Sequence, residues 1–386
     1  MKYFSVPADF KTETIDRYEI LNNTYDDSRV IESYGNITVR NGFESGRSVE
    51  QLPEVDWYEL ENYIAYSKQK NIDFNYTINS SYMQNKEFTE NGILKIKTFL
   101  KRLYEIGVDS LTVALPSLIE LIKSTNYNFK IKASVICQIT NANKAMSFKK
   151  MGAARMVVDE SMNRNFKVLE RIKNVFGDYV EIIVNPICFK DCIYRMFHYN
   201  QISGDSIEVS SQASIEYYPH RCVLKRYENT GNLLKLNWVR PEDINYYSNI
   251  GICHFKLQGR HTVLKGDPVR AVECYAKESY DGDLMELLDL FDPTTSFRVS
   301  IDNKKLDGFI KPYYENENFC KNDCSGCNYC ESFAQKCIDH EKANEVIQLA
   351  VQFYNDYDRF KEMIAAINPA KVDNLSEEKM DIGFDL

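Results

Sequence analysis

Short β-branched runs alternate with amphipathic stretches along most of this 386-residue chain, and that alternation leaves few folds open. The runs are Tyr3 to Val6, Val30 to Tyr34, Ile72 to Ile78, Ser110 to Leu115, Ile131 to Cys137, Arg155 to Asp159, Val180 to Val184, Leu233 to Val239 and Cys253 to Leu257. Between them, Glu59 to Gln69, Ile93 to Ile106, Leu118 to Ser124, Lys144 to Met151 and Phe166 to Val175 carry apolar residues at helical spacing. Strands separated by helices pair in parallel through crossovers, which predicts an α/β sheet or barrel. Nine runs are one too many for a (β/α)8 barrel. Leu233 to Val239 follows a long irregular stretch and is succeeded almost at once by Pro241, a residue favoured at the first position of a helix. It is assigned to an inserted hairpin within about 200–245. The other eight make a TIM-like (β/α)8 barrel, with a doubly wound open sheet as the alternative, because periodicity alone does not show closure.

After Tyr280 the pattern changes, so the expected organisation is a barrel over 1–290, a cysteine-rich and helical appendage over 291–370, and an acidic, disordered tail over 371–386. Lys plus Arg (47) against Asp plus Glu (56) gives a net charge of −9. Such a surface repels bulk nucleic acid and anionic membrane, which favours a small molecule or peptide substrate over RNA, although a local basic channel could still hold RNA. No run approaches the ~18–20 apolar residues of a membrane span. The N-terminal MKYFSVPADFKTET lacks an apolar signal core, and an odd 11 cysteines do not suit a disulfide framework. The expected compartment is the cytoplasm, where thiols stay reduced and clustered cysteines ligate metal or do redox chemistry.

The cysteines form two groups. Cys320-x3-Cys324-x2-Cys327-x2-Cys330 puts four soft ligands on one turn-rich segment with Gly326 inside it, and either zinc or an iron-sulfur cluster satisfies that spacing. Its first three cysteines also match the triplet of radical S-adenosylmethionine enzymes. That reading is set aside, because the triplet lies after the barrel and a fourth cysteine follows. The second group is dispersed. Cys188 closely follows the seventh barrel run, Cys192 comes one helical turn later, and Cys222 and Cys253 lie beyond. Parallel strands deliver side chains to one mouth, where these thiols could converge. Cys222 and Cys253 as small buried residues is the alternative. Cys137 and Cys274 read as core residues.

Several segments together resemble the collagenase-like peptidase family U32. They are Ser5-Val-Pro-Ala8, Ser33-Tyr-Gly-Asn36 with Gly46-Arg47, Tyr66 to Ile122 with Gly107-Val-Asp109, and Lys132-Ala-Ser134 with Thr140-Asn141. Gly152 to Glu160 and Gly251-Ile-Cys-His-Phe-Lys-Leu-Gln-Gly-Arg260 complete the set. The last is the most specific, being close to the family's Phe-Lys-Ile-Glu-Gly-Arg with Gln258 in place of Glu. The resemblance covers about 1–290 and implies a TIM-like barrel. For the better understood members it also implies a 4Fe-4S cluster held by four cysteines at the barrel mouth and an oxygen-independent hydroxylation of ubiquinone precursors or RNA bases. Cys188, Cys192 and Cys222 fall where family cluster cysteines lie, with Cys253 completing the set. The cysteine spacings differ from those of the hydroxylases, so the substrate does not transfer.

Polar residues at the predicted strand ends supply the remaining candidates. Asp159 and Glu160 are read as proton-moving groups and His198 as a proton shuttle, each with a structural alternative as a cap or a satisfied core residue. Arg260 is the anion anchor, because a guanidinium grips a carboxylate or phosphate by two hydrogen bonds. Its plainer alternative is an ion pair with Glu160. Asn79, Asn141, Arg47 and Arg155 are read as substrate-binding. Missing from the chain are His-Glu-x-x-His, Gly-x-Ser-x-Gly and the glycine-rich nucleotide loops. The expected function is an iron-sulfur enzyme of oxygen-independent modification with a second iron-sulfur or zinc centre in the appendage. A collagenase-like peptidase and a cluster-bearing electron-transfer protein that works with a partner protein are the alternatives.

Overall fold

The computed structural model describes residues 1–38, 47, 51–207, 216–357 and 359–366. Eight parallel strands close into a barrel in chain order: β1 (Lys2–Pro7), β2 (Ser28–Gly35), β3 (Asp73–Ile78), β4 (Ser110–Val113), β5 (Lys130–Ala133), β6 (Ala153–Val157), β7 (Val180–Ile183) and β8 (His254–Lys256). Closure is made by β1 against β8, with Tyr3, Phe4 and Ser5 opposite His254, Phe255 and Lys256. The open-sheet alternative is thereby excluded. All eight assigned runs are strands, although Ile131 to Cys137 is cut short at Ala133. Beyond it, Val135–Cys137 coils into a short 3-10 turn capped by Ser134.

The helices form where the apolar spacing and the caps agree. Trp57–Gln69 starts at a capping box, in which the Asp56 side chain accepts from Glu59 N–H while Glu59 accepts from Asp56 N–H. It turns Leu60, Tyr63 and Ile64 toward the outer face of the sheet. Glu90–Glu105, Ala142–Lys150 and Phe166–Phe176 start at single side-chain caps from Thr89, Asn141 and Asn165, and Pro116–Lys123 starts at Pro116 without one. Thr12–Thr24 is a further barrel helix, burying Ile15, Tyr18 and Leu21. Outward strand residues such as Phe4, Phe74, Leu111, Ile131, Ile182 and Phe255 meet these helices and make the apolar core.

Leu233 to Val239 is not a hairpin. Gly231–Leu234 is a short helix, and beyond it Leu236 makes one isolated antiparallel bridge to Phe189, just after β7. Leu233 and Leu234 are fully buried and Trp238 donates to Leu233 O, so this run is apolar because it is core packing rather than sheet. The appendage folds back onto this insert. Helix Tyr329–Cys337 packs against Gly231–Leu234, Asn229 donates to Glu331, and a Cβ on Gly231 would stand 2.6 Å from the Glu331 side chain. Helices His340–Tyr357 and Phe360–Ala366 follow, and the acidic tail lies outside the described residues. Among the described residues no helix is long and apolar enough to cross a membrane.

Candidate functional site

The interior of a (β/α)8 barrel is commonly filled by layers of branched aliphatic side chains. Here inward positions on the strands are polar and hydrogen-bond across the barrel. Ser5 on β1 donates to Glu32 on β2 (3.1 Å) and Glu181 on β7 (2.7 Å). Lys132 on β5 donates to both carboxylates, at 2.8 Å to Glu181 and more closely still to Glu32. Arg155 on β6 reaches Glu32 at 3.0 Å. On the other side Asn75 of β3 donates to Glu32 and to Ser110, and Thr112 of β4 donates to Asn75. Burial alone would raise the Glu181 carboxyl, but Lys132 and Lys256 outweigh it and hold it at about 2.

Among the described residues, two cations at and just beyond the C-terminal end of β8 have no carboxylate partner. Lys256, on β8, is buried with no hydrogen-bond acceptor for Nζ, which lies 3.3 Å from the centroid of the Tyr34 ring. Burial, with Lys132 beside it, pushes its amine down to about 7. Arg260 follows β8. The preceding Gly259 has φ +134°, and a Cβ there would meet Thr262 at 2.5 Å and Leu290 at 2.6 Å, so only glycine sets this path. The Arg260 Nη1 donates to Asn36 Oδ1 (2.7 Å) and Thr77 Oγ1 (2.8 Å). Burial pushes the guanidinium down to about 10, and Arg47 adds to the effect, so Arg47 stands within electrostatic reach.

Arg260 makes no ion pair with Glu160. The cation beside Glu160 is Arg195, whose Nη1 lies 2.6 Å from Asp159 and 3.8 Å from Glu160. Asp159 also caps the turn Glu160–Met162 by accepting from Ser161 N–H. Glu160 keeps Oε2 without a hydrogen bond, and its carboxyl is raised by burial and by Asp159 against the pull of Arg195. Cys188 lies next to it. Burial pushes the Cys188 thiol up, with Glu160, Cys222 and Cys192 contributing, which puts three of the four dispersed cysteines within electrostatic reach of one another. Arg226 approaches Cys222 Sγ at 3.9 Å.

Cys253 is a correction. It directly precedes β8, and its carbonyl accepts from Tyr3 N–H at the start of β1, so it lies at the N-terminal end of the barrel, away from Cys188. Arg155 is also turned away from the mouth, since its guanidinium is taken by Glu32 and stands 5.3 Å from the Tyr179 ring, ahead of β7. Asn141 is exposed and caps Ala142–Lys150 through Lys144 N–H. Asn79 directly follows β3 and donates to Ser134. His198 sits on the helix Arg195–Ile207, and burial, reinforced by Arg47, pushes its imidazole down to about 4. It is neutral near pH 7.

The four appendage cysteines line one cavity of about 670 Å³. Phe189, Lys190 and Asp191, from the loop after β7 that also carries Cys188 and Cys192, line the same cavity. Lys225, Lys235, Lys321 and Arg164 also line it. Arg164 lies 4.6 Å from the Trp238 ring and donates from Nη1 to Leu234 O, but its buried Nε and Nη2 have no acceptor. Among the described residues, no three His, Cys, Asp or Glu side chains converge as placed into a metal-holding group. The donor set nevertheless fits an anionic thiolate-bound group: four soft ligands share a cavity with an arginine whose N–H groups lack acceptors.

Residues 47–216 match the model of peptidase family U32. Over 294 residues, 76% of this chain and 85% of the relative, the sequence is 30% identical to an uncharacterized protease of Methanocaldococcus jannaschii, MJ1657. The chain belongs to peptidase family U32. Among solved structures, the U32 peptidase Mk0906 is similar at 18% identity and a TM-score of 0.48, over 66% of this chain and 92% of that one. A D-psicose 3-epimerase is similar at 13% identity and a TM-score of 0.33, over 54% of this chain and 81% of that one.

Several charged residues of this U32 protein lie away from the loops beyond the strand ends. Glu32, Lys132, Glu181 and Lys256 lie within strands. Their signal was present, because a lone charge inside an apolar barrel strand must point inward and find an opposite charge or a ligand. Arg195 carried no such signal, since only the folded loop after β7 brings it to Asp159.

Proposed function

We propose that this U32 protein is an iron-sulfur enzyme of oxygen-independent modification, most suited to a small molecule or peptide, working in the cytoplasm. The reading is supported by the shared cavity, which Cys320, Cys324, Cys327 and Cys330 line together with the loop that follows Cys188. Cys320 to Cys330 would hold one cluster, with zinc as the other occupant their chemistry allows. Cys188, Cys192 and Cys222 would hold a second with one iron left without a cysteine. Bound clusters would supply one-electron transfer and, at that iron, a Lewis acid for a substrate oxygen.

The chain's own residues take the other roles. Arg260 would hold the anionic end of the substrate. Glu160, whose raised carboxyl retains its proton to higher pH than an ordinary one, would deliver a proton at Oε2, while Arg195 fixes it against Asp159. Arg164 would donate to the sulfur of a group bound in the appendage cavity. Anaerobic purification with iron and sulfide assays, and absorbance near ~400 nm, tests the proposal. About four irons per chain or fewer after reconstitution would sink the two-cluster version.

A peptidase is the second reading, favoured by the protease name of the similar archaeal protein. Cleavage of a peptide library that survives iron chelation and is lost with a zinc chelator would establish it in place of the first.

A further inference from the structure

Lys132, Arg155, Lys256 and Arg260 stand with Glu32 and Glu181 along the inner barrel and its mouth. Glu32 is shared by Lys132 and Arg155, and Glu181 is held by Lys132. Among the described residues neither Lys256 nor Arg260 has a carboxylate within ion-pair distance, although both are buried. A buried cation without a counter-ion is costly, and proteins relieve it by deprotonation, by a partner or by a ligand. We propose that Lys256 and Arg260 together hold a small carboxylate at the barrel mouth, and that the carboxylate binds together with a proton taken up by Lys256.

Neighbouring side chains fix both cations and leave donors on each unused. Tyr34 is fixed by its hydroxyl, which donates to Leu257 O at 2.6 Å, and its ring covers one face of the Lys256 amine without accepting an N–H bond. Asn36 and Thr77 hold Arg260 by Nη1 alone, and both are neutral. Its Nε and Nη2 make no hydrogen bond to a described residue. A guanidinium edge of that kind matches the two oxygens of a planar carboxylate. Arg47 adds a third positive charge nearby, and His261, pushed down to about 3 by burial and by Arg47, adds none.

The proton follows from the groups that face Lys256. Lys132 and Arg260 disfavour its ammonium form, Glu181 and Glu32 favour it, and burial decides against it. A carboxylate placed between Lys256 and Arg260 reverses that balance and draws a proton from solvent.

This inference deepens the reading of Arg260 as the anchor of the substrate's anionic end. The test is titration calorimetry on the full chain at about pH 8, in Tris and in triethanolamine buffers, with acetate, pyruvate, succinate and inorganic phosphate as probes. At least one carboxylate should bind saturably, with a heat that differs between buffers as expected for uptake approaching one proton. Lys256→Met should weaken binding about tenfold or more and remove the buffer dependence, while Arg260→Gln should weaken binding and keep it. Near-UV circular dichroism checks that both variants fold, and the wild-type buffer dependence needs no variant. No saturable carboxylate binding, preference for phosphate, or proton uptake that survives Lys256→Met would overturn the site. Iron and sulfide are assayed on the same sample. Proton-linked binding without metal refutes the cluster reading and leaves this site standing; metal without binding does the reverse.

Discussion

Arg195 donates from Nη1 to Asp159 at 2.6 Å, and the same nitrogen stands 3.8 Å from Glu160. One guanidinium therefore serves two adjacent buried carboxyls, and removing it strands both. Breaking a buried pair from one side costs about 3–5 kcal/mol. Urea unfolding of Arg195→Met should show a loss of that order. Adding Asp159→Asn should recover part of it, and strictly additive effects would show that the two side chains do not interact.

Acid should loosen the barrel from within. The Glu181 carboxyl is held at about 2 in the folded protein, below the ~4.3 of an unfolded chain. A folded value below the unfolded one contributes stability that is fully present above pH ~4.3 and is lost as pH falls toward 2, a loss of about 3 kcal/mol. Urea midpoints between about pH 5 and pH 3 measure the slope. In Lys132→Met the cation that hydrogen-bonds Glu181 is gone, and most of that slope should disappear.

Iron content should separate the cysteines by position. With both sites loaded, Cys324→Ser together with Cys327→Ser should remove about half of the iron and sulfide, since only the compact set is disabled. Cys253→Ser, at the other end of the barrel, should remove none. Equal losses from both variants would contradict the placement of Cys253.

Thiol reactivity of the metal-free protein should follow exposure. Cys320, Cys324 and Cys327 are exposed and should be alkylated first. Cys137 and Cys337 should lag by orders of magnitude, because burial pushes each thiol up to about 12. Peptide mass spectrometry after short alkylation pulses reads the order, and early modification of Cys337 would refute it.

Periodicity served well where one physical cause dominates. The runs around Phe4, Phe74, Leu111 and Phe255 are strands because their outward faces pack on helices, and that pattern is visible in the letters. Leu233 to Val239 misled because a buried helix turn and a buried strand are equally apolar. Cys253 misled for another reason: a boundary shift of a single residue decides whether a side chain belongs to the barrel's interior or to the loop beneath it. The convergence of the appendage on the loop after β7 was illegible, since it depends on Gly231 admitting Glu331 across a hundred positions of chain. The unpaired state of Lys256 and Arg260 was equally hidden. It is a property of what the other strands hold, and no strand records it alone.

The charged ring inside the barrel also bears on how such a sequence can change over generations. Ser5, Glu32, Asn75, Lys132, Arg155 and Glu181 come from six different strands, yet each satisfies another. An aliphatic interior tolerates drift one methyl group at a time. This one does not, because losing any charge leaves its partner stranded, so the ring is inherited as a unit or replaced as a unit. Lineages that keep the fold should vary these positions jointly, while the outward faces of the same strands wander independently.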